Sequence, residues 1–468
     1  MLLKYFYDQA LAHASYMVGC QRTNEAIIVD PGRDIEQYLE AAAAEDMTIV
    51  GMAETHIHAD YVSGVRELAD RTGATCYVSD EGPDDWKYFY AKDYNAKFVK
   101  DGDKFMVGNV QMEVMHTPGH TPESISFILT DMGGGADRPM GIFSGDFVFV
   151  GSIGRPDLLE KAAGVKGNAV QGANAMFNSL QRFKQLPDYL QVWPAHGAGS
   201  ACGKGLGAIP SSTVGYEKLF NPALAYDDRE EFIDYLLADQ PEAPKYFAVM
   251  KRVNKEGPAI LGGPALPGRM PASALTGLLE DGAMVIDTAA ASDYAHAHVP
   301  GTINVMMNYL ASYAGWFVNY DKPIYIVTSE ANMAEAVRIL HKIGIDKIAG
   351  YFDTAELASA GLKTQSYEEL NPSEIADDII AGNVTLIDVR AETEWNEGRL
   401  PNAEHYFLGT LPEKAAELVN GKTIVVQCRT GARSAVGASI LQAAGAKKVA
   451  NLMGGITAWS GAGLPIEE

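Results

Sequence analysis

The stretch Thr55-His56-Ile57-His58-Ala59-Asp60-Tyr61 constrains this chain more than any other. It follows an apolar run, Met47 to Met52, and such a run ending in clustered His and Asp reads as a strand feeding a metal loop. The same arrangement recurs downstream. Val107 to Met115 leads to His116 and His120 in H-T-P-G-H-T, Met140 to Phe143 leads to Asp146, and Tyr189 to Trp193 leads to His196. A single histidine is more often a hydrogen-bonded core or surface residue. Several apolar runs that each end on His or Asp are expected to deliver ligands to one edge of a sheet.

H-x-H-x-D, then P-G-H-T, then G-D, then P-x-H-G, in this order, resembles the metallo-β-lactamase fold family. In its dinuclear zinc members, such as glyoxalase II thioesterases, the first motif runs H-x-H-x-D-H. Here Tyr61 stands at the last place, and a neutral phenol is a poor ligand. The chain is most similar to the persulfide dioxygenase branch, and that resemblance implies one iron(II) per chain held by His56, His120 and Asp146. Two His and one carboxylate leave positions open for O2 and substrate, as in non-haem iron oxygenases. Spacing alone does not choose iron over zinc. The same resemblance makes His58, Asp60, Tyr61 and His196 supporting residues around the ligands, since a polar neighbour beside a ligating imidazole fixes its tautomer.

At 468 residues the chain is expected to form about three domains. A formal net charge of −23 argues against a nucleic-acid partner, which needs basic patches. No run reaches the roughly 18 apolar residues of a membrane span, and Met1 to Tyr7 reads as a strand without signal-peptide layout. Four widely spaced cysteines make no disulfide framework. A cytoplasmic protein with reduced thiols is expected.

An αββα sandwich is expected over residues 1–255. Glu25 to Val29 reads as a strand ending at Asp30, a residue that helps order the metal edge or simply opens a turn. Asp34 to Glu45 and Val62 to Thr72 read as helices, 131–137 as a hairpin tip, and Tyr216 to Asn254 as a helical tail broken at Gln240 to Pro244. Arg155 is a candidate for holding the anionic end of a thiol substrate, or else pairs with Asp157. The glycine-rich loop after His196 carries Cys202, a candidate for substrate contact or a transient persulfide. Cys20 and Cys76 lie in strand-like runs and read as packing residues. Residues 256–268, with three prolines and four glycines, read as a linker.

Two segments of about 100 residues then repeat. Met284-Val-Ile-Asp287-Thr-Ala matches Thr385-Leu-Ile-Asp388-Val-Arg, and Lys322 to Thr328 matches Lys422 to Cys428. Strand, loop and helix alternate, with helices expected at Met333 to Ile343 and Arg433 to Ala444, which means small doubly wound α/β units. Both resemble rhodanese sulfurtransferase domains, at 269–360 and 369–468. In the second, Cys428-Arg429-Thr430-Gly431-Ala432-Arg433 leads from a strand into a helix N-terminus. The free N–H groups there, with both arginines, favour a thiolate nucleophile and an oxyanion. Protein tyrosine phosphatases place Arg six positions after the Cys, where this chain has Ser434; the shorter loop suits the rhodanese pattern. Asp388 and Arg390 fit that pattern as loop-ordering residues. The first copy has Thr328-Ser329-Glu330-Ala331-Asn332-Met333 instead, with neither thiol nor Arg, so it reads as an inactive copy with a structural or docking role.

The fold class expected for the whole chain is α/β multidomain: a metallo-β-lactamase sandwich followed by two rhodanese-like doubly wound units. The full resemblance is to bacterial persulfide dioxygenase–sulfurtransferase fusions of sulfide detoxification. It implies as partners a small-molecule thiol persulfide, O2, and sulfite or thiosulfate, and a homo-oligomer (dimer or tetramer). The alternative is a zinc-dependent thioester hydrolase similar to glyoxalase II, fused to a rhodanese.

Overall fold

A computed structural model describes residues 1–158, 160, 167–263 and 266–467. The chain divides into two compact units, Met1–Gly263 with His341–Gly344, and Pro264–Leu340 with Ile345–Glu468. The expected three domains therefore group as two units: apart from His341–Gly344 of the first copy, both repeat copies fall within the second, and each keeps its own sheet.

The first unit carries two six-stranded sheets. One has sequential order: β1 (Leu2–Asp8), β2 (His13–Cys20), β3 (Glu25–Val29), β4 (Thr48–Ala53), β5 (Thr75–Ser79) and β6 (Ala96–Val99). The other begins with β7 (Lys104–Val107), β8 (Val110–His116), β9 (Ile125–Asp131) and β10 (Gly141–Gly145). A short hairpin, β11 (Val148–Phe149) with β12 (Ser152–Ile153), precedes its last strands, β13 (Gln191–Pro194) and β14 (Ser212–Thr213). Their order in the sheet is β14-β13-β10-β9-β8-β7.

Strand alternation produces the αββα layering. Along β3, Ala26 and Ile28 pack with Tyr38 and Ala42 of helix Glu36–Ala44 and Leu68 of helix Val65–Thr72. Ile27 and Val29, on the other face, pack with Val110, Val114 and Phe127 of the opposing sheet. Beyond that sheet, Ile142 and Val192 meet Met176 and Phe183 of helix Asn168–Phe183. Three apolar layers thus hold two sheets and their outer helices.

Two segments depart from the sequence expectation. The tail is three helices, Val214–Phe220, Arg229–Leu237 and Phe247–Glu256, with an extra break where Asn221 caps the turn at Pro222. Proline cannot supply the N–H that a continuing helix needs. The expected linker is also fastened in its first half. Arg66 donates to the carbonyls of Gly257 and Pro258, and the Glu67 carboxylate accepts from the N–H groups of Leu261 and Gly262. Its residues 264 and 265 lie outside the described residues, as does residue 468 of the last expected domain.

The second unit contains two parallel sheets. The first copy orders its strands β16-β15-β17-β18, from β15 (Met284–Asp287), β16 (Ile303–Asn304), β17 (Ile324–Thr328) and β18 (Ile348–Asp353). The second orders β19-β23-β22-β20-β21, from β19 (Glu368–Leu370), β20 (Thr385–Asp388), β21 (Ala403–His405), β22 (Ile424–Gln427) and β23 (Val449–Leu452). The registers coincide: Asp287 pairs with Val327 as Asp388 pairs with Gln427, and Ile286 with Ile303 as Ile387 with Glu404. The fifth strand of the second sheet is reduced in the first to a single bridge between Arg269 and Tyr351. The copies also pack together, with Trp316 edge-on to Phe407 and the Asn304 N–H donating to Ser439.

Candidate metal centre and thiol loop

The ends of β4, β10 and β13 and the loop after β8 converge at one edge of the sandwich. His56, His120 and Asp146 are all buried there, with ligand atoms within 4.8 Å of one another. Asp146 Oδ2 lies 3.5 Å from His120 Nε2 and 3.9 Å from His56 Nε2, and Oδ1 lies 3.4 Å from His196 Nε2. Atoms each about 2.1 Å from a shared ion would be spaced this way.

The hydrogen bonds fix which ring nitrogen faces inward. Thr55 Oγ1 donates to Asp30 and so accepts from His56 Nδ1, 3.0 Å away. His120 Nδ1 donates to the Arg155 carbonyl, and His196 Nδ1 to the Ala12 carbonyl, each at 2.9 Å. All three imidazoles therefore present an Nε2 lone pair to the centre. His56 Nε2 and both Asp146 oxygens are buried without a hydrogen-bond partner, an expensive arrangement for a protein alone. The donor set fits a cation.

Asp30 organises the ligand loop. It adopts φ +50°, a left-handed conformation that Asp tolerates better than most residues. Its carboxylate takes the Thr55 N–H at 2.7 Å and lies 3.3 Å from His58 Nε2, so it does more than open a turn. Burial opposes charging His58, yet Asp30, Glu54 and Asp60 draw its pKa up to about 9. Tyr61 is engaged elsewhere, donating to the Asp30 carbonyl at 3.4 Å and packed against the His13 ring at 3.9 Å. Gly154 is obligatory, because a Cβ there would overlap the Asp146 carbonyl oxygen.

Asp60, His196 and Cys202 form a second buried group of potential ligands, with Asp60 Oδ2 3.2 Å from His196 Nε2. Burial pushes the Cys202 thiol up to about 12, with the nearby Asp146 and Asp60 adding to it. Arg155 does not face a substrate, so that expectation is corrected, and the alternative, a pair with Asp157, holds. It is fully buried, its Nε and Nη2 donating to Asp157 at 2.7 Å each and its Nη1 to the Pro241 carbonyl at 2.7 Å. Its paired charge braces the loop whose carbonyl orients His120. His116 lies outside the centre, bonded to the Pro122 carbonyl. Cys20 and Cys76 are buried in strands, as expected of packing residues. Sequence reading missed His13, whose Nε2 bonds the Asp30 carbonyl, and Glu123, which accepts the Ile57 N–H. His13 stands alone in sequence, but Glu123 follows the P-G-H-T motif closely enough to have been flagged.

A cavity of about 460 Å³ adjoins His120, lined by Pro83, Trp86, Pro118, Pro122 and Gly172 among others. Its walls mix apolar residues with the polar groups of Asp85, Asn168 and Gln171.

In the second unit, Cys428 is buried at the end of β22, beneath the N-terminus of helix Ala432–Ala443. Its Sγ accepts from the Gly431 N–H at 3.2 Å and lies 3.3 Å from Ser434 Oγ, whose proton goes to Asn451 Oδ1. The loop's outer carbonyls are also held, with Ile456 N–H donating to Cys428 and Thr457 N–H to Arg429. A Cβ on Gly455 would overlap the Cys428 carbonyl oxygen, so this close pass needs glycine. Arg429 and Thr430 are exposed, while Gly431 is buried and Ala432 and Arg433 half-buried. Arg433 lies at the loop, as expected, but is already paired. Its two Nη atoms hold the Glu394 carboxylate at 2.6 and 2.7 Å, so much of its charge is answered within the protein. Glu394, Ser434 and Asn451, which bonds Ser434 at 2.7 Å, complete the loop. Only Ser434 was near enough in sequence to be noticed.

The metallo-beta-lactamase superfamily model matches residues 9–196, and the rhodanese-like domain model matches residues 371–462. Among solved structures, a metallo-beta-lactamase from Staphylococcus aureus subsp. aureus COL is 44% identical, with TM-score 0.68, over 75% of this chain and 99% of that one. The ETHE1 protein of Myxococcus xanthus is 29% identical over 55% of this chain and 98% of that one, with TM-score 0.44. A beta-lactamase hydrolase-like protein of Xylella fastidiosa (strain 9a5c) is 27% identical over 49% of this chain, which spans only 53% of that relative's length. The sandwich, its converging His and Asp residues and the similarity along nearly the whole staphylococcal protein agree: the chain belongs to the metallo-beta-lactamase family and carries a rhodanese-like domain in its C-terminal part.

Proposed function

We propose that the chain is a non-haem iron(II) persulfide dioxygenase coupled to a thiosulfate-forming sulfurtransferase. The observation that carries this reading is the buried set of His56, His120 and Asp146, inward-facing and without protein partners on the ligand atoms of His56 and Asp146. Iron(II) held there would supply open coordination positions and the redox chemistry that O2 needs to react with a sulfur anion. The protein's own part is to hold the ligands. Thr55, the Arg155 carbonyl and the Ala12 carbonyl keep three imidazoles in one tautomer, and the cavity beside His120 offers an approach for a thiol persulfide.

The net reaction is R–S–S⁻ + O2 + H2O giving RSH, SO3²⁻ and H⁺. Both dioxygen atoms end on the terminal sulfur, and water supplies the third oxygen and the thiol proton. In the second unit, the Cys428 thiolate attacks the terminal sulfur of a second thiol persulfide, whose S–S bond breaks to release the thiol, and the Cys428 persulfide so formed is then attacked by sulfite. The S–S bond breaks, thiosulfate leaves, and the electron pair returns to Cys428 Sγ, where the Gly431 N–H receives it. One polypeptide keeps the sulfite source near its consumer. The same steps run backwards when thiosulfate is abundant. A cytoplasmic setting and a dimer or tetramer belong to this proposal. Among the described residues, no helix is long and apolar enough to cross a membrane.

A second reading rests on Asp60, His196 and Cys202, which could hold a second ion in a zinc hydrolase. Metal analysis of anaerobically purified protein, with O2 uptake recorded on adding glutathione persulfide, separates the two. About one iron per chain with O2 consumption supports the dioxygenase. Two zincs, no O2 uptake and thioester hydrolysis would overturn it.

A further inference from the structure

The two copies in the second unit differ sharply at one buried carboxylate. In the second copy Asp388 is fully buried and bridged by Arg390. Nε of Arg390 lies 2.9 and 3.0 Å from the two carboxylate oxygens, and Nη2 lies 2.7 Å from Oδ2. The remaining Arg390 donors reach the carbonyls of Glu394 and Gly398, at 2.8 and 2.7 Å. The guanidinium thus acts as a structural plug, with its planar fork matched to a carboxylate and two carbonyls.

Equal register makes the corresponding residues of the first copy explicit. Asp287 stands for Asp388, Ala289 for Arg390, Asp293 for Glu394 and Ala297 for Gly398. The carboxylate is kept and the cation is gone. Asp287 is still buried, 8% exposed, and still accepts the N–H two residues on, from Ala289 at 2.9 Å. Among the described residues no cation pairs with it. Burial without a counter-charge pushes its carboxyl up to about 7.

The space is not refilled by other side chains. A cavity of about 590 Å³ opens there, lined by Asp287, Ala289, Asp293 and Ala297, the places that surround Arg390 in the other copy. Thr328 also lines it, its buried hydroxyl without a hydrogen-bond partner. Val299, Leu357 and Leu362 give it an apolar wall, and its lining includes no Lys or Arg. His298 lines it too, but its ring nitrogens are taken up by the Tyr294 carbonyl and the Gln365 amide. A cavity of this size suits a small organic ligand, with few polar groups fixing orientation.

We infer that this cavity is a binding site for a small alkylguanidinium ligand, whose head group takes the place of the missing arginine on Asp287 while its stem lies on the apolar wall. The chemistry is that of the Asp388–Arg390 pair made between molecules. It explains why a carboxylate is kept buried in a copy that has lost its thiol loop. A ligand held there would occupy the first copy and leave the Cys428 loop to its own reaction.

The test uses the full-length protein and n-butylguanidinium as probe, titrated by calorimetry and by thermal shift. Saturable one-to-one binding is expected, with n-butylamine binding at least severalfold more weakly because an ammonium cannot make the two-pronged contact. Asp287→Asn should weaken n-butylguanidinium binding by at least about tenfold, a loss of the charge-assisted pair. Ala289→Arg should abolish binding and raise the melting temperature of the unliganded protein, since it rebuilds the internal pair. This second variant decides the matter even if Asp287→Asn folds poorly. No saturable binding to the wild-type protein, equal binding of the amine, or binding that survives Ala289→Arg would each overturn the inference.

Discussion

The two copies of the second unit share strand order and register, yet differ in what closes the ends of their strands. Apolar positions do the same work in each: Val285, Ile286 and Ile326 in one sheet, Leu386, Ile387 and Val426 in the other, all buried. At the strand ends the second copy has Arg390, Glu394, Cys428 and Arg433, and the first has Ala289, Asp293, Thr328 and Met333. The scaffold survives loss of both arginines and the thiol from this polar layer. Fold is written in the alternation of the strands and chemistry in a handful of loop positions, so the one can persist after the other is lost.

That contrast can be broken by substitution. The largest effect is expected at Cys428, the proposed nucleophile. Cys428→Ser should lower sulfurtransferase activity by roughly a thousandfold or more, since serine cannot hold a sulfane sulfur as a persulfide. Under turnover with persulfide, sulfite should accumulate in place of thiosulfate. Thr328→Cys in the first copy should gain no sulfurtransferase activity, because Met333 and the surrounding loop supply neither cation nor hydroxyl at the matching places. Activity in that variant would mean that the thiol alone separates the copies.

Next in size is the buried pair. Arg390→Ala strands Asp388 without its cation and should destabilise the protein by about 3–5 kcal/mol, read as a lowered urea midpoint. Asp287→Asn should cost little stability or add some, because the carboxylate there has no cation to lose. A comparable loss at both positions would erase the difference drawn between them. In the first unit, His56→Ala should leave the iron content near zero and stop O2 uptake while sulfurtransferase activity stays close to wild type.

The smallest effect concerns the Glu394–Arg433 pair. Burial tends to raise the Glu394 carboxyl, but its bonds to Arg433 carry it below the usual 4.5. A lowered folded-state pKa means stability fully present above about pH 4.5 and lost as pH falls through the folded value. Glu394→Gln should therefore flatten the acid limb of the stability profile. An unchanged limb would show that the pair is not felt.

Much of this architecture is legible in the chain. His56, Asp146 and His196 each follow an apolar run closely, so the strand that ends there positions them, and the 100-residue repeat announces two like sheets. Other features are silent because they depend on contacts distant in sequence. His13 meets Asp30, Tyr61 and His196 only after β2 joins the sheet. Glu394 meets Arg433 across 39 residues. Arg155 misleads for the opposite reason. The Asp157 pairing two residues on is one of the two local readings, but nothing local shows that the Pro241 carbonyl, 86 residues away, will close over the pair and bury it. The grouping of two copies into one unit is likewise invisible to a pattern that reads each copy separately.

The hydrogen bonds that orient His56, His120 and His196 run to Thr55 and to two backbone carbonyls, and none needs an ion to exist. The pocket is cast before it is filled. Withdrawal of the ion by a chelator should then leave far-ultraviolet circular dichroism unchanged and allow reloading within the mixing time, with no refolding step. A mould of this kind also exerts little choice of its own. Among divalent ions of similar size, occupancy would follow supply and intrinsic binding order, so the identity of the metal in the cell would be decided by delivery more than by the protein.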